Sequence, residues 1–152
     1  MKRILTLTLL ALFVFSMLPL GAYATETNTD YDEIIYLDNG DYITVKVSQV
    51  MTSRQTCTNT KTYIHHSNNG EELWRADLFG SFRYDGTTAS CIASSCDVTI
   101  YDSAWSVASK TAGRTGATAT AELTMVKKLL GITLRTENLS MSLTCSPSGQ
   151  FS

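Results

Sequence analysis

Two histidines sit side by side as His65-His66, and chemistry at neutral pH would look first to an imidazole. Neighbouring strand residues face opposite sides of a sheet, so a single site can use at most one of them. A hydrolase would also need an activated Ser or Cys beside the ring, and no G-x-S-x-G or comparable elbow occurs. A glycosidase would need two facing carboxylates, for which Glu71-Glu72, Glu122 and Glu137 qualify by type alone. Asp30, Asp32, Glu33, Asp38 and Asp41 are calcium ligands by type, yet they lack the spacing of an EF-hand or nonapeptide loop and read as a solvated acidic end. His65-His66 reads in the same way as a polar strand end beside the Asn68-Asn69-Gly70 turn, and Glu71-Glu72 as a solvated strand start. These residues converge on no catalytic constellation, so the expectation is a non-enzymatic protein with no metal and no cofactor.

The four cysteines, Cys57, Cys91, Cys96 and Cys145, contain no C-x-x-C and match no zinc module, which leaves disulfides as the simplest reading. Cys91 and Cys96 are an odd number of residues apart, so on a continuous strand they face opposite sides, about 17 Å from one another and beyond bridging distance. Cys91 and Cys145 both fall on apolar strand faces. The expected bridges are therefore Cys91 to Cys145 and Cys57 to Cys96. Trp74 and Trp105 would make a sugar-stacking platform if exposed, but each is in phase with apolar neighbours on its own strand and is assigned to the core. Tyr36, Tyr42, Tyr63 and Tyr101 are the candidates for exposed aromatics.

The elements that position these groups begin after a leader. Lys2 and Arg3 precede a mostly apolar run that ends in Ala22-Tyr23-Ala24, an A-x-A cleavage site, so residues 1–24 read as a secretory signal peptide. The chain has 152 residues with 12 Lys+Arg and 14 Asp+Glu; without the leader and its two basic residues, 128 remain with a formal charge of −4. An acidic chain is a poor match for nucleic acid, whose affinity comes chiefly from Lys and Arg displacing phosphate counterions. No second apolar run approaches 18 residues, so stable membrane insertion after signal removal is not expected. The expected location is extracellular.

Thr and Ser make up 35 of the 128 residues, and no sustained 3.6-residue pattern appears, which favours strands over helices. Residues 25–33 read as a flexible N-terminal segment and 34–152 as a single disulfide-stapled β-domain. Alternation of period two runs through 42–50, 74–84, 117–125 and 138–145. Turns are signalled at Asp38-Asn39-Gly40-Asp41, Asn68-Asn69-Gly70 and Asp85-Gly86, with a loop over 112–116 and a hairpin connection within 126–134. A two-residue Asp85-Gly86 turn would set Phe82 against Ala89 and Gly80 against Cys91. The fold class is all-β, a β-sandwich of about eight antiparallel strands of immunoglobulin-like or Greek-key type, with a small β-barrel as the alternative.

Trp74, Gly80, Phe82, Tyr84, Gly86, Ala89 and Cys91, then Trp105 and the terminal Leu143-Thr144-Cys145-Ser146 with Gly149, resemble a group of small secreted proteins of Gram-positive, often gut-dwelling, bacteria. The resemblance covers roughly residues 56–152. It implies a shared β-sandwich scaffold and supports joining Cys91 to Cys145; Cys57 and Cys96 depart from the pattern. It implies no activity, because the group has no established function. The functional expectation is an extracellular binding or interaction module for a protein or glycan surface. The alternatives are a secreted antimicrobial or toxin-like effector and, behind it, a small secreted hydrolase.

Overall fold

The computed structural model describes residues 32–53 and 56–152, side chains of 50–53 excepted; the expected signal peptide, with Ala22 and Ala24, lies outside the described residues. Eight strands follow in order: β1 (Glu33–Tyr36), β2 (Tyr42–Ser53), β3 (Thr56–His66), β4 (Glu72–Tyr84), β5 (Ala89–Ile100), β6 (Trp105–Thr115), β7 (Thr118–Leu129) and β8 (Ile132–Thr144). They form an antiparallel five-stranded sheet, β1-β2-β3-β4-β5, and an antiparallel three-stranded sheet, β6-β7-β8. The sandwich is as expected, while its connections are simpler than immunoglobulin-like or Greek-key ones. Each strand lies beside its sequence neighbour, and the chain passes between the sheets once, through residues 101–104.

The period-two pattern explains the core between the sheets. Val45, Trp74, Ala76, Leu78 and Phe82 point inward from the larger sheet, and Ala119, Ala121, Leu123, Met125, Met141 and Leu143 from the smaller. Trp74 and Trp105 are buried as expected and meet edge to face, centroids 6.3 Å apart. Gly80 is fixed by packing. A Cβ there would lie 2.4 Å from the Phe82 ring and 3.1 Å from Ala119, so the ring folds back over a bare backbone.

Local chemistry altered four expected details. Asp85 Oδ1 accepts the N–H groups of Thr87 and Thr88, which makes 85–88 a four-residue loop. Consequently Tyr84 pairs with Ala89 and Phe82 with Cys91, leaving Cys91 on the core face but two residues from its expected partner. Ile92 is the extra residue of a bulge between Ser81 and Phe82 partners. The bulge resets the side-chain phase, so Cys91 and Cys96 are both buried despite their odd separation. β6 continues through the glycine-containing stretch taken as a loop, because Arg114 and Thr115 still pair with Ala119 and Thr118. At the N-terminus the ordered sheet starts before residue 34: Asp32 Oδ2 accepts the Val47 N–H at 2.6 Å, and Glu33 opens β1.

Candidate functional site

The sandwich end that carries the turns after β1, β3, β5 and β7 holds two features of chemical interest, one buried and one exposed. The buried one is built around His65, the penultimate residue of β3, which is fully enclosed. Its Nε2 lies 3.3 Å from Asp41 Oδ2 and its Nδ1 3.1 Å from Glu137 Oε2. The Trp74 and Trp105 rings meet the imidazole in edge-to-face contacts, centroids 5.1 and 5.2 Å away. Arg135 completes the cluster, donating from Nη1 to Asp41 Oδ2 at 3.1 Å, with Nη2 2.7 Å from Glu137 Oε1.

Asp41 is the hub. Besides His65 and Arg135 it accepts the Asn39 side-chain amide at 2.6 Å and, through Oδ1, the Asn68 N–H at 3.1 Å. One carboxylate thereby ties together two turns, β3 and β8. Burial pushes its pKa up, but the Asn39 bond, His65 and the Arg135 charge outweigh that and hold the carboxyl below the usual aspartate value. Glu137 acts differently: its two buried oxygens lie 3.1 Å from His65 Nδ1 and 2.7 Å from Arg135 Nη2, yet neither is aligned for a hydrogen bond, so what it offers the guanidinium is charge. Beside it, His66 stacks on Tyr42 at 4.7 Å, with Nε2 3.0 Å from Thr44 Oγ1.

This arrangement corrects the reading of the histidines as a polar strand end and of Asp41 as a solvated acid. It also joins an imidazole to carboxylates, as a hydrolase would require. Both His65 nitrogens face carboxylates, however, and the ring itself is fully buried, with no described hydroxyl or thiol among its contacts. A small cavity of about 130 Å³ adjoins Glu137 between Leu37, Ile43, Trp74, Met125 and Leu139. Its walls are mainly apolar and carry no nucleophile. Glu71, Glu72 and Glu122 are exposed; Ser140 bonds to Glu122, and no described carboxylate faces it as a glycosidase pair would.

Cys57, Cys91 and Cys145 gather at the opposite end, while Cys96 lies at mid-sheet beside Leu78; all four are free, buried thiols. Cys57 and Cys91 flank Phe82 on adjacent strands, Phe151 packs on Phe82 at 5.2 Å, and Cys145 is the backbone partner of Phe151. Cys57 and Cys145 lie within hydrogen-bonding reach of each other across the two sheets, with Cys91 nearby. The expected Cys57 to Cys96 bridge does not fit this register. Their partners on β4, Phe82 and Leu78, are four residues apart, which places the two thiols well over 7 Å apart. Burial, together with Cys57 and Cys91, pushes the Cys145 thiol to about 11, so it stays protonated at neutral pH and is a poor nucleophile.

The exposed feature is the β7–β8 hairpin tip. Leu129 pairs with Ile132 around a turn made by Leu130 and Gly131, both at positive φ (50° and 81°). Two-residue turns of this kind favour Asn, Asp or Gly, and a leucine there costs about 1–2 kcal/mol. Leu130 is also 95% exposed, with Leu129 at 59%, Ile132 at 67% and Leu134 at 58%. Single exposed aliphatics are ordinary, whereas these four together present on the order of 500 Å² at one projection, as large as the main patch of a typical monomer. β6 begins opposite Lys127, so the hairpin reaches past the edge of its sheet. Sequence reasoning passed over this tip as a connection; its signal was a run of aliphatics on both phases of a turn that ordinarily takes polar residues.

Of the aromatics expected outside, Tyr36 and Tyr101 are exposed, Tyr42 is half-buried and Tyr63 is buried. The chain is thus an all-β sandwich with a buried ionic cluster and an apolar hairpin tip at one end. Comparison with protein-family models, with curated proteins and with solved structures finds no match.

Proposed function

We propose that the protein is a secreted, non-catalytic binding module that engages its partner through the β7–β8 hairpin tip. The observation that carries this reading is the tip itself: four exposed aliphatics around a leucine held at positive φ. An apolar patch and local backbone strain both work against stability, and they are kept where binding uses them. The ionic cluster at the base of the same end supports the reading by fixing the turns around the tip. Residues 1–24 would direct the chain out of the cytoplasm, with cleavage after Ala24. There we propose that Cys57 and Cys145, the thiols in contact, form an inter-sheet disulfide. The sandwich scaffold is compatible with the resemblance to small secreted bacterial proteins.

The test is binding of fluorescently labelled protein to washed bacterial cells and to cultured animal cells. Wild type should bind at least one of them, and a Leu130→Asp/Ile132→Asp variant should lose that binding while unfolding at a similar temperature. Equal binding by the variant would refute the reading.

A further inference from the structure

We infer that the hairpin tip docks reversibly on a lipid bilayer bearing anionic headgroups, an inference that rests on the tip being the binding surface. Three observations favour this partner over a protein or glycan. First, the tip projects past the edge of its own sheet. Leu130 stands two residues beyond Lys128, whose N–H bonds the Ala104 carbonyl at the sheet edge. At about 3.3 Å per residue the apolar projection reaches roughly 7 Å, the depth of the boundary between headgroups and acyl chains. Second, its side chains are aliphatic, lacking both the flat rings that stack on sugars and the polar atoms that select a protein epitope.

Third, the charges match an anionic surface. Lys128 stands exposed directly behind the aliphatics, and Lys127 beside it is half-buried, its ammonium 5.9 Å from the centre of the buried Trp105 ring. Of the acids at this end, Asp38 in the turn after β1 is exposed, and the others lie on the other sheet or are engaged, Asp41 by Arg135. Asp102 accepts the Ala104 N–H at 2.9 Å, and Glu137 faces Arg135 and His65. Glu71 and Glu72 are exposed on the other sheet. Self-association through the tip would instead set lysine against lysine. A few aliphatics and two lysines give weak, salt-sensitive attachment, and no helix among the described residues is long and apolar enough to cross a membrane. The contact is therefore peripheral, and it departs from the acidic character of the chain as a whole.

The experiment is co-sedimentation of the full mature protein with sucrose-loaded vesicles of phosphatidylcholine alone or with about a third phosphatidylglycerol, the latter giving the anionic surface. Wild type should sediment with the anionic vesicles and release in high salt. Leu130→Asp/Ile132→Asp should weaken the partition at least tenfold, the scale of losing a buried aliphatic side chain. Lys128→Gln should weaken it about fivefold on anionic vesicles alone. A Leu130→Trp variant reports position directly, its emission shifting to the blue on anionic vesicles, and entrapped dye should stay inside. Wild type left in the supernatant, an unaffected aspartate variant or an unshifted tryptophan would overturn the inference, and dye release would overturn its peripheral geometry. Tip-dependent binding to cells without binding to vesicles would reject the lipid partner and leave the module reading standing; cell binding indifferent to the tip would remove both.

Discussion

Replacing Asp41 by alanine should destabilise the domain more than any other polar substitution at this end. The change deletes one carboxylate that serves Arg135, His65, Asn39 and the Asn68 N–H. Removing one partner of a buried ionic group costs about 3–5 kcal/mol, because the remaining charge is left uncompensated. Here that figure is discounted, since Arg135 keeps Glu137 at 2.7 Å and its side chain is 27% exposed, so water can solvate part of what is lost. The expected cost is about 2–4 kcal/mol, a fall in melting temperature of roughly 10–20 °C. Urea unfolding at pH 7 followed by tryptophan emission reads it directly, because Trp74 and Trp105 both pack on His65. The pH dependence follows from the depressed carboxyl. A group with a folded pKa below its unfolded one stabilises above the unfolded value, near 3.9, and loses that contribution as pH falls through the folded value. Wild type should therefore lose stability below about pH 4, and Asp41→Asn should show a shallower loss there. An alanine variant within about 0.5 kcal/mol of wild type would refute the hub role of Asp41.

Three further outcomes are expected. Non-reducing peptide mapping of secreted protein should recover Cys57 joined to Cys145; a Cys91 to Cys145 peptide would show that the third thiol takes the bridge instead. Cys57→Ser should lower the stability of the oxidised protein by about 4 kcal/mol, since the bridge would close a long loop, and a smaller effect than about 1 kcal/mol would argue against that bridge. Gly80→Ala should cost about 1–3 kcal/mol by pushing the Phe82 ring from its seat, measured by thermal unfolding, and no change would mean the ring has another place to go.

The strand pattern was legible because burial of one sheet face imposes a period of two, and the burial of Trp74 and Trp105 followed from phase; Cys91 faces the core as expected because its register moved by two residues, which preserves the face. What escaped was set by interactions that phase does not carry. Asp85 lengthened its loop by capping two amides, and a single extra residue at Ile92 reset the cysteine geometry. The ionic cluster was illegible for a different reason. Asp41 and Arg135 are 94 residues apart and meet only because β2 and β8 lie at the same end of opposing sheets. Residue types had singled out His65, Asp41 and Glu137 separately, but not their convergence. At the hairpin tip the turn was expected, while the positive φ of Leu130 and the overhang past β6 emerge only from the register.

If the tip keeps an unfavourable leucine for binding, Leu130→Asn separates stability from binding in one protein. Asparagine accepts positive φ more readily, so the variant should unfold at a temperature equal to or higher than wild type, by up to about 1 kcal/mol in stability. Its binding to cells and to anionic vesicles should fall at least severalfold, because the most exposed aliphatic of the tip is gone. Stability retained with binding diminished is the result this account requires. Undiminished binding would contradict it.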